Sequence, residues 1–319
     1  GVSERISGFL LEYGGRSAVI SYLRDAASFE YTITRNILFL VGEEKPPMVE
    51  LFQGSTRDTA AYSYLEDHLA SAGLVVNGSQ LDTGVRDTVV LVIGSRFLDE
   101  SAVTSIRSRL DGGADAVFLV SGTSVGIQQN WSAAPKEDDA LLSLLEELGV
   151  RVRRTIVLDP EGYPLALPSL DGSSIVTVPY VFWNSIDSDE LPRTHPLFSG
   201  LESLQFFWPS PIAFDSAAGL SCLLKTGTAS AEARPPFDTN PFNASSVRDK
   251  KGAGSGPLCL VASLERNGGQ RLLFVSDELL PSSMIEYTGS RCNLDFIVNC
   301  VEWVSARDDL LTLKKRRRP

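Results

Sequence analysis

Gly122-Thr123-Ser124-Val125-Gly126 is a G-x-S-x-G string directly after an apolar run, the setting in which a hydrolase presents a nucleophilic serine. A serine hydroxyl is a weak nucleophile near neutral pH, so Ser124 would need a base within hydrogen-bond reach. The chain has only two histidines, and His68 lies upstream on a predicted helix, which leaves His195 as the partner. An elbow also needs a helix that starts at once after the nucleophile. Here 127–136 contains Asn130, Trp131 and Pro135 and reads as irregular. Ser124 with His195 is therefore the alternative reading, a serine hydrolase, and the main expectation is a chain without catalysis. Asp277 and Glu278 follow another apolar run, as does Asp159. Carboxylates there can serve acid/base or metal chemistry, although Asp at strand ends more commonly satisfies the backbone of the next turn.

Other chemistries lack their residues. No G-x-x-x-x-G-K-[ST] phosphate loop occurs. None of Cys222, Cys259, Cys292 and Cys300 precedes residue 222, so the cysteine nucleophile of a class I glutamine amidotransferase is missing. Those four show no C-x-x-C spacing, so no structural zinc, and no cofactor, is expected. Cys222 and Cys259 each lie in a strand-like run and could be neighbours; buried free thiols are the commoner outcome.

The 319 residues carry 29 basic and 40 acidic side chains, a formal charge of −11. Five of the basic ones are Lys314, Lys315, Arg316, Arg317 and Arg318; without them 24 face 40, a net of −16. An acidic body repels phosphate backbones, which argues against nucleic acid as a partner. No apolar stretch reaches the roughly 18 residues of a membrane-spanning helix. The start at Gly1 and the end after a basic run read as the limits of a domain cut from a longer, anchored protein.

The elements that would position these residues alternate. Phe9 to Glu12 and Ala18 to Tyr22 flank Tyr13-Gly14-Gly15-Arg16 as a hairpin, and the four-residue spacing of Ile33, Ile37 and Val41 predicts a helix over 29–41. Strands are expected at 48–52, 74–76, 88–93 and 116–120, with helices at 59–72 and 99–110 between them. Strands joined by helices of that length pair in parallel. The expected fold is thus α/β, a doubly wound, mainly parallel sheet of flavodoxin-like or class I glutamine amidotransferase-like type, with an N-terminal hairpin and helix and additional C-terminal strands. Beyond it come a helix at 138–148, strands at 151–158, 175–181, 204–207 and 220–225, a long loop at 226–256, a hairpin of 258–264 with 271–276, and a closing helix at 293–305. Residues 1–45, 46–306 and 307–319 are the expected hairpin-helix, main domain and basic tail.

Several segments in order resemble the auxiliary component of gliding-motility-type ABC transport systems, whose soluble domain also looks like the amino-terminal domain of an intraflagellar transport protein. They are Leu11-Glu12-Tyr13-Gly14-Gly15-Arg16, Val89 to Gly94, Leu110-Asp111-Gly112-Gly113, Thr194-His195-Pro196-Leu197, Val275-Ser276-Asp277-Glu278 and Asn293 to Trp303. Where that family has Gly-His-Gly-Glu, this chain has Gln53-Gly54-Ser55-Thr56. Gly54, Ser55 and Thr56 thereby join Ser124, His195, Asp277 and Glu278 as binding candidates. The resemblance implies a periplasmic-face domain anchored by flanking membrane helices, partnered with an ABC permease and its ATPase, with the basic tail beside the membrane. A carbohydrate- or peptide-binding module acting at the strand carboxyl ends is a further alternative.

Overall fold

The computed structural model describes residues 9–20, 29–41, 47–53, 60–78, 88–94, 98–126, 131–169, 172–215, 219–241, 256–266, 268–289 and 291–305. The chain opens with β1 (Phe9–Tyr13) and β2 (Arg16–Ile20), an antiparallel hairpin turning at Gly14 and Gly15, and then α1 (Phe29–Val41). Next come β3 (Met48–Gln53), a 3-10 turn at Ala60–Tyr62, α2 (Ser63–Ser71), β4 (Val75–Gly78), β5 (Thr88–Ile93), α3 (Glu100–Asp111) and β6 (Ala116–Leu119). The start of α3 is dictated locally: Asp99 accepts a hydrogen bond from the Ala102 N–H at 2.8 Å, satisfying a donor the helix leaves open. Gly112 and Gly113 end it, the latter with φ of 87°.

The chain then changes character. It runs through β7 (Thr123–Gly126), β8 (Ser132–Pro135), α4 (Ala140–Glu147), β9 (Val150–Val152), β10 (Ile156–Leu158), β11 (Tyr163–Pro168), β12 (Ile175–Tyr180) and β13 (Trp183–Asp187). A 3-10 turn at Pro196–Phe198 leads to β14 (Ser203–Phe207), β15 (Ile212–Phe214), β16 (Leu220–Lys225) and β17 (Ala231–Ala233). The last elements are β18 (Cys259–Glu265), β19 (Arg271–Val275), α5 (Ile285–Thr288) and α6 (Cys292–Val304).

The large sheet has the order β4-β3-β5-β6-β19-β18-β15-β9, with β16 also paired to β18. Its ladders are parallel from β4 to β19 and antiparallel beyond. Five further antiparallel pairs stand outside it: β1 with β2, β7 with β8, β10 with β17, β11 with β12 and β13 with β14. The expected doubly wound, mainly parallel sheet of flavodoxin-like or amidotransferase-like type is therefore corrected to a mixed sheet carrying many small antiparallel hairpins. A parallel neighbour requires a long crossover; β19 reaches β6 that way, but within the excursion between them the pairs β7–β8 and β11–β12, and then β18–β19, are joined by turns too short for anything but antiparallel pairing.

Alternate residues of the buried strands feed two cores. Val89, Leu91 and Ile93 of β5 pack with α2 and α6, while Val90 and Val92 pack with α3 and α4 on the other face. All six residues of β5 are buried, each large apolar side chain contributing about 1.5–3 kcal/mol. A third core, rich in aromatic rings, gathers β10 to β14.

Two local expectations change in the same region. The single strand expected at 151–158 is broken at Arg153–Thr155, so that β9 joins the large sheet and β10 pairs with β17. The loop expected at 226–256 contains β17, and its 242–255 portion lies outside the described residues, as do the basic tail and Gly54, Ser55 and Thr56. Cys222 and Cys259, on neighbouring strands with Cα atoms 5.9 Å apart, form a disulfide rather than two free thiols; Cys292 and Cys300 are not in a disulfide.

Candidate functional site

The carboxyl ends of β5, β6 and β19 meet the exit of the β7–β8 hairpin, and here charge is buried. After β5, Gly94 turns with φ of 66°, and a Cβ on it would lie 3.3 Å from Glu278 Oε2, so the glycine lets that carboxylate settle over the strand end. After β6 come Ser121, whose Oγ accepts from the Glu278 N–H at 3.1 Å, and Gly122. A Cβ on Gly122 would sit 2.1 Å from the Arg153 carbonyl oxygen, a distance no side chain tolerates. The first glycine of the G-x-S-x-G string is thus explained by close backbone packing against the β9–β10 connection.

Lys136 follows β8 directly. Its N–H donates to the Gly122 carbonyl at 2.9 Å, and its ammonium forms an ion pair with Glu278 Oε2. The two side chains are only 6% and 10% exposed. Arg154 Nε donates to the Lys136 carbonyl, and Tyr62 donates its hydroxyl hydrogen to the Glu278 carbonyl at 3.0 Å. An ammonium and a carboxylate in a dry setting could exchange a proton with a ligand or hold its opposite charge. In this arrangement each neutralises the other, and together they tie the hairpin to the sheet.

Asp277, beside Glu278, is fully buried. Its Oδ2 accepts from the Phe207 N–H at 2.6 Å and its Oδ1 from the Leu279 N–H at 2.8 Å, joining β14 to the turn after β19. Burial pushes its carboxyl well above the usual range, the N–H donors oppose that shift, and the Glu278 charge adds to it.

Ser124 lies inside β7, not at a strand-to-helix turn, and its Oγ donates to the Ala134 carbonyl at 3.5 Å. His195 caps the 3-10 turn at Pro196–Phe198, its Nδ1 accepting from the Leu197 N–H at 3.3 Å. The imidazole lies 5.4 Å from the ring of Trp303 on α6, a residue of the first core, whereas Val125 and Ala133 beside Ser124 pack on the third. The side-chain bonds of Ser124 and His195 go to different partners, Ala134 and Leu197, while the fold brings Asp277 and Glu278 together with Lys136, Ser121, Gly94 and Tyr62. Sequence reasoning missed those four because a lone lysine after a proline, or a lone glycine after a strand, carries no spacing signal. Among the described residues no three His, Cys, Asp or Glu side chains cluster as metal ligands.

A groove of about 1000 Å³ opens at the other end of β6 and β19, lined by Asp111, Asp115, Glu147, Glu265, Arg266 and Gln270 among others. It is wide and lined mainly by polar groups, and open α/β sheets carry their ligand crevices at the carboxyl ends, so the Lys136–Glu278 end is the better candidate.

The model of a family described as ABC-type uncharacterized transport system matches residues 34–300. A comparison with curated protein sequences finds no match. Among solved structures, one from Bacteroides uniformis described as ThuA-like shares 11% identity at a TM-score of 0.40, over 82% of this chain and 93% of that one. A likeness that slight carries no argument.

Proposed function

The chain belongs to the ABC-type uncharacterized transport system family, and from that premise we propose that it is the extracytoplasmic accessory domain of such a system, acting by contact with partner proteins rather than by catalysis. The observation that carries this reading is the family match across residues 34–300. The Cys222–Cys259 disulfide supports an oxidising compartment outside the cytoplasm, where such bonds persist. The bonds of Ser124 Oγ to the Ala134 carbonyl and of the Leu197 N–H to His195 Nδ1 support a role without acyl transfer, because the relay needs the nucleophile bonded to its base. Among the described residues no helix is long and apolar enough to cross a membrane.

The deciding experiment fractionates cells that express the full-length protein and isolates it under mild detergent. Recovery with membranes, together with a permease and an ATPase, is expected; a protein that stays in the cytosolic fraction without them would overturn the reading. Thiol counting under denaturing conditions on the native protein should find two reactive cysteines, Cys292 and Cys300. Four would remove the support for an oxidising compartment. Fluorophosphonate labelling of the intact chain that disappears in Ser124→Ala would restore the hydrolase.

A further inference from the structure

The described residues outside glycine that adopt left-handed backbone are Trp131, Asp138 and Trp208. Bulky side chains take that conformation only where their surroundings impose it, and such positions concentrate at functional sites. Two of the three meet face to edge. The indole of Trp131, at the start of β8, stacks on Trp183 at 5.3 Å and meets Tyr180, Trp208 and Tyr287 edge-on at 5.5, 5.4 and 5.9 Å. Three of the four tryptophans in the chain therefore converge in one place.

Without Trp131, what remains is a cup of aromatic rings. Tyr180, Trp183 and Trp208 form its buried floor, and Tyr287, 54% exposed, forms an open rim. The floor is rigid: Trp208 Nε1 donates to Tyr180 Oη at 2.9 Å, and Tyr180 donates to the Thr239 carbonyl. One donor is unused. Trp183 Nε1 is buried and has no acceptor. The piece that fills the cup is a separate ladder, since β7 and β8 pair only with each other among the described residues. A lone two-stranded ladder is marginal in water. Here it is held by Trp131 in the cup, by Val125 and Ala133 on the third core, by the hydrogen bond from Thr239 Oγ1 to the Trp131 carbonyl, by the Gly122 N–H on Ser210 Oγ, by Arg154 on the Lys136 carbonyl and by Lys136 on Glu278.

We propose that the cup of Tyr180, Trp183, Trp208 and Tyr287 is a recognition site for an aromatic side chain presented on an extended segment of a partner polypeptide, with Trp131 its internal competitor. The resident group defines the guest: an indole carried next to a β-strand. A peptide also brings carbonyl oxygens, the acceptors that the Trp183 donor lacks. Competition from Trp131 lowers the apparent affinity by the fraction of molecules whose cup is open, so removing the competitor strengthens binding.

The test titrates acetyl-Ala-Trp-Ala-amide into the intact chain and into Trp131→Ala by calorimetry, with acetyl-Ala-Ala-Ala-amide as control, and follows hydrogen exchange of the 132–135 amides. At least tenfold tighter binding to Trp131→Ala is expected, lost again on adding Tyr287→Ala. In the intact chain, saturating tryptophan peptide should speed exchange at 132–135. Equal affinity of the two proteins, or equal binding of the alanine peptide, would overturn the proposal. Binding to Trp131→Ala with no effect on the intact hairpin would mark a cavity made by mutation and overturn it too. Should Trp131→Ala not fold, the intact chain decides alone, and 132–135 amides that exchange only with global unfolding refute the site. None of these failures touches the transport-system reading, which membrane fractionation tests separately.

Discussion

The two ends of strands β6 and β19 handle charge in opposite ways. At the carboxyl end, Lys136, Asp277 and Glu278 are buried, and each finds its partner inside the protein. At the amino end, Arg107 pairs with Glu147 and Arg271 lies 3.8 Å from Glu265, the two glutamates lining an open groove, with Arg107, Glu147 and Glu265 well exposed. The chemistry of the pairs is the same. What differs is water: a surface pair exchanges one good solvent for another, whereas a buried charge that loses its partner has nothing to replace it. The carboxyl end is therefore where substitution should be felt, and where a partner or ligand could gain most by offering an alternative contact.

The largest expected effect is at Lys136. Lys136→Met leaves Glu278 as an uncompensated buried charge, and urea denaturation should show a loss of about 3–5 kcal/mol. Adding Glu278→Gln should recover much of it. A double variant as unstable as the single one would mean that hairpin packing, not charge, sets the difference between the two ends.

The next effect is one of pH. The raised carboxyl of Asp277 binds its proton more tightly in the folded chain than the roughly 3.9 typical of an unfolded aspartate. The folded state then holds more protons than the unfolded one above that value, so this residue makes stability fall as pH rises from about 3.9 through its folded pKa. One such proton lowers stability by about 1.4 kcal/mol for each pH step within that window. Asp277→Asn should lose that decline when denaturation midpoints are compared across pH 4–7, and an unchanged slope would reassign it to other groups. The smallest effect is expected in the groove: Arg107→Ala, which breaks an exposed pair, should leave the urea midpoint where it was.

Local structure was legible wherever the physics is local. The spacing of Ile33, Ile37 and Val41 placed α1, the nearly all-apolar run Thr88 to Ile93 marked a strand buried on both faces, and Asp99 with Gly112-Gly113 bounded α3. Short strands such as β13 and β15 were missed because three to five residues carry too little alternation to stand apart from a loop. The break between β9 and β10 was hidden for a different reason: it sits where the backbone of Arg153 packs on Gly122, some thirty residues earlier. In the candidate site, Asp277 and Glu278 were visible as carboxylates at a strand end, but Lys136 was not.

The sequence by itself determined the helices and strands of the first 120 residues, the acidic character of the body and the missing phosphate loop, because each follows from residue type and near-neighbour spacing. Only the tertiary structure decided that the sheet turns antiparallel after β19, that Cys222 meets Cys259, that Lys136 neutralises Glu278 and that Trp131 fills an aromatic cup. The disulfide joins residues 37 positions apart, and the ion pair joins residues 142 apart. Pairings at such distances are chosen by how the layers pack, and local spacing carries no record of them.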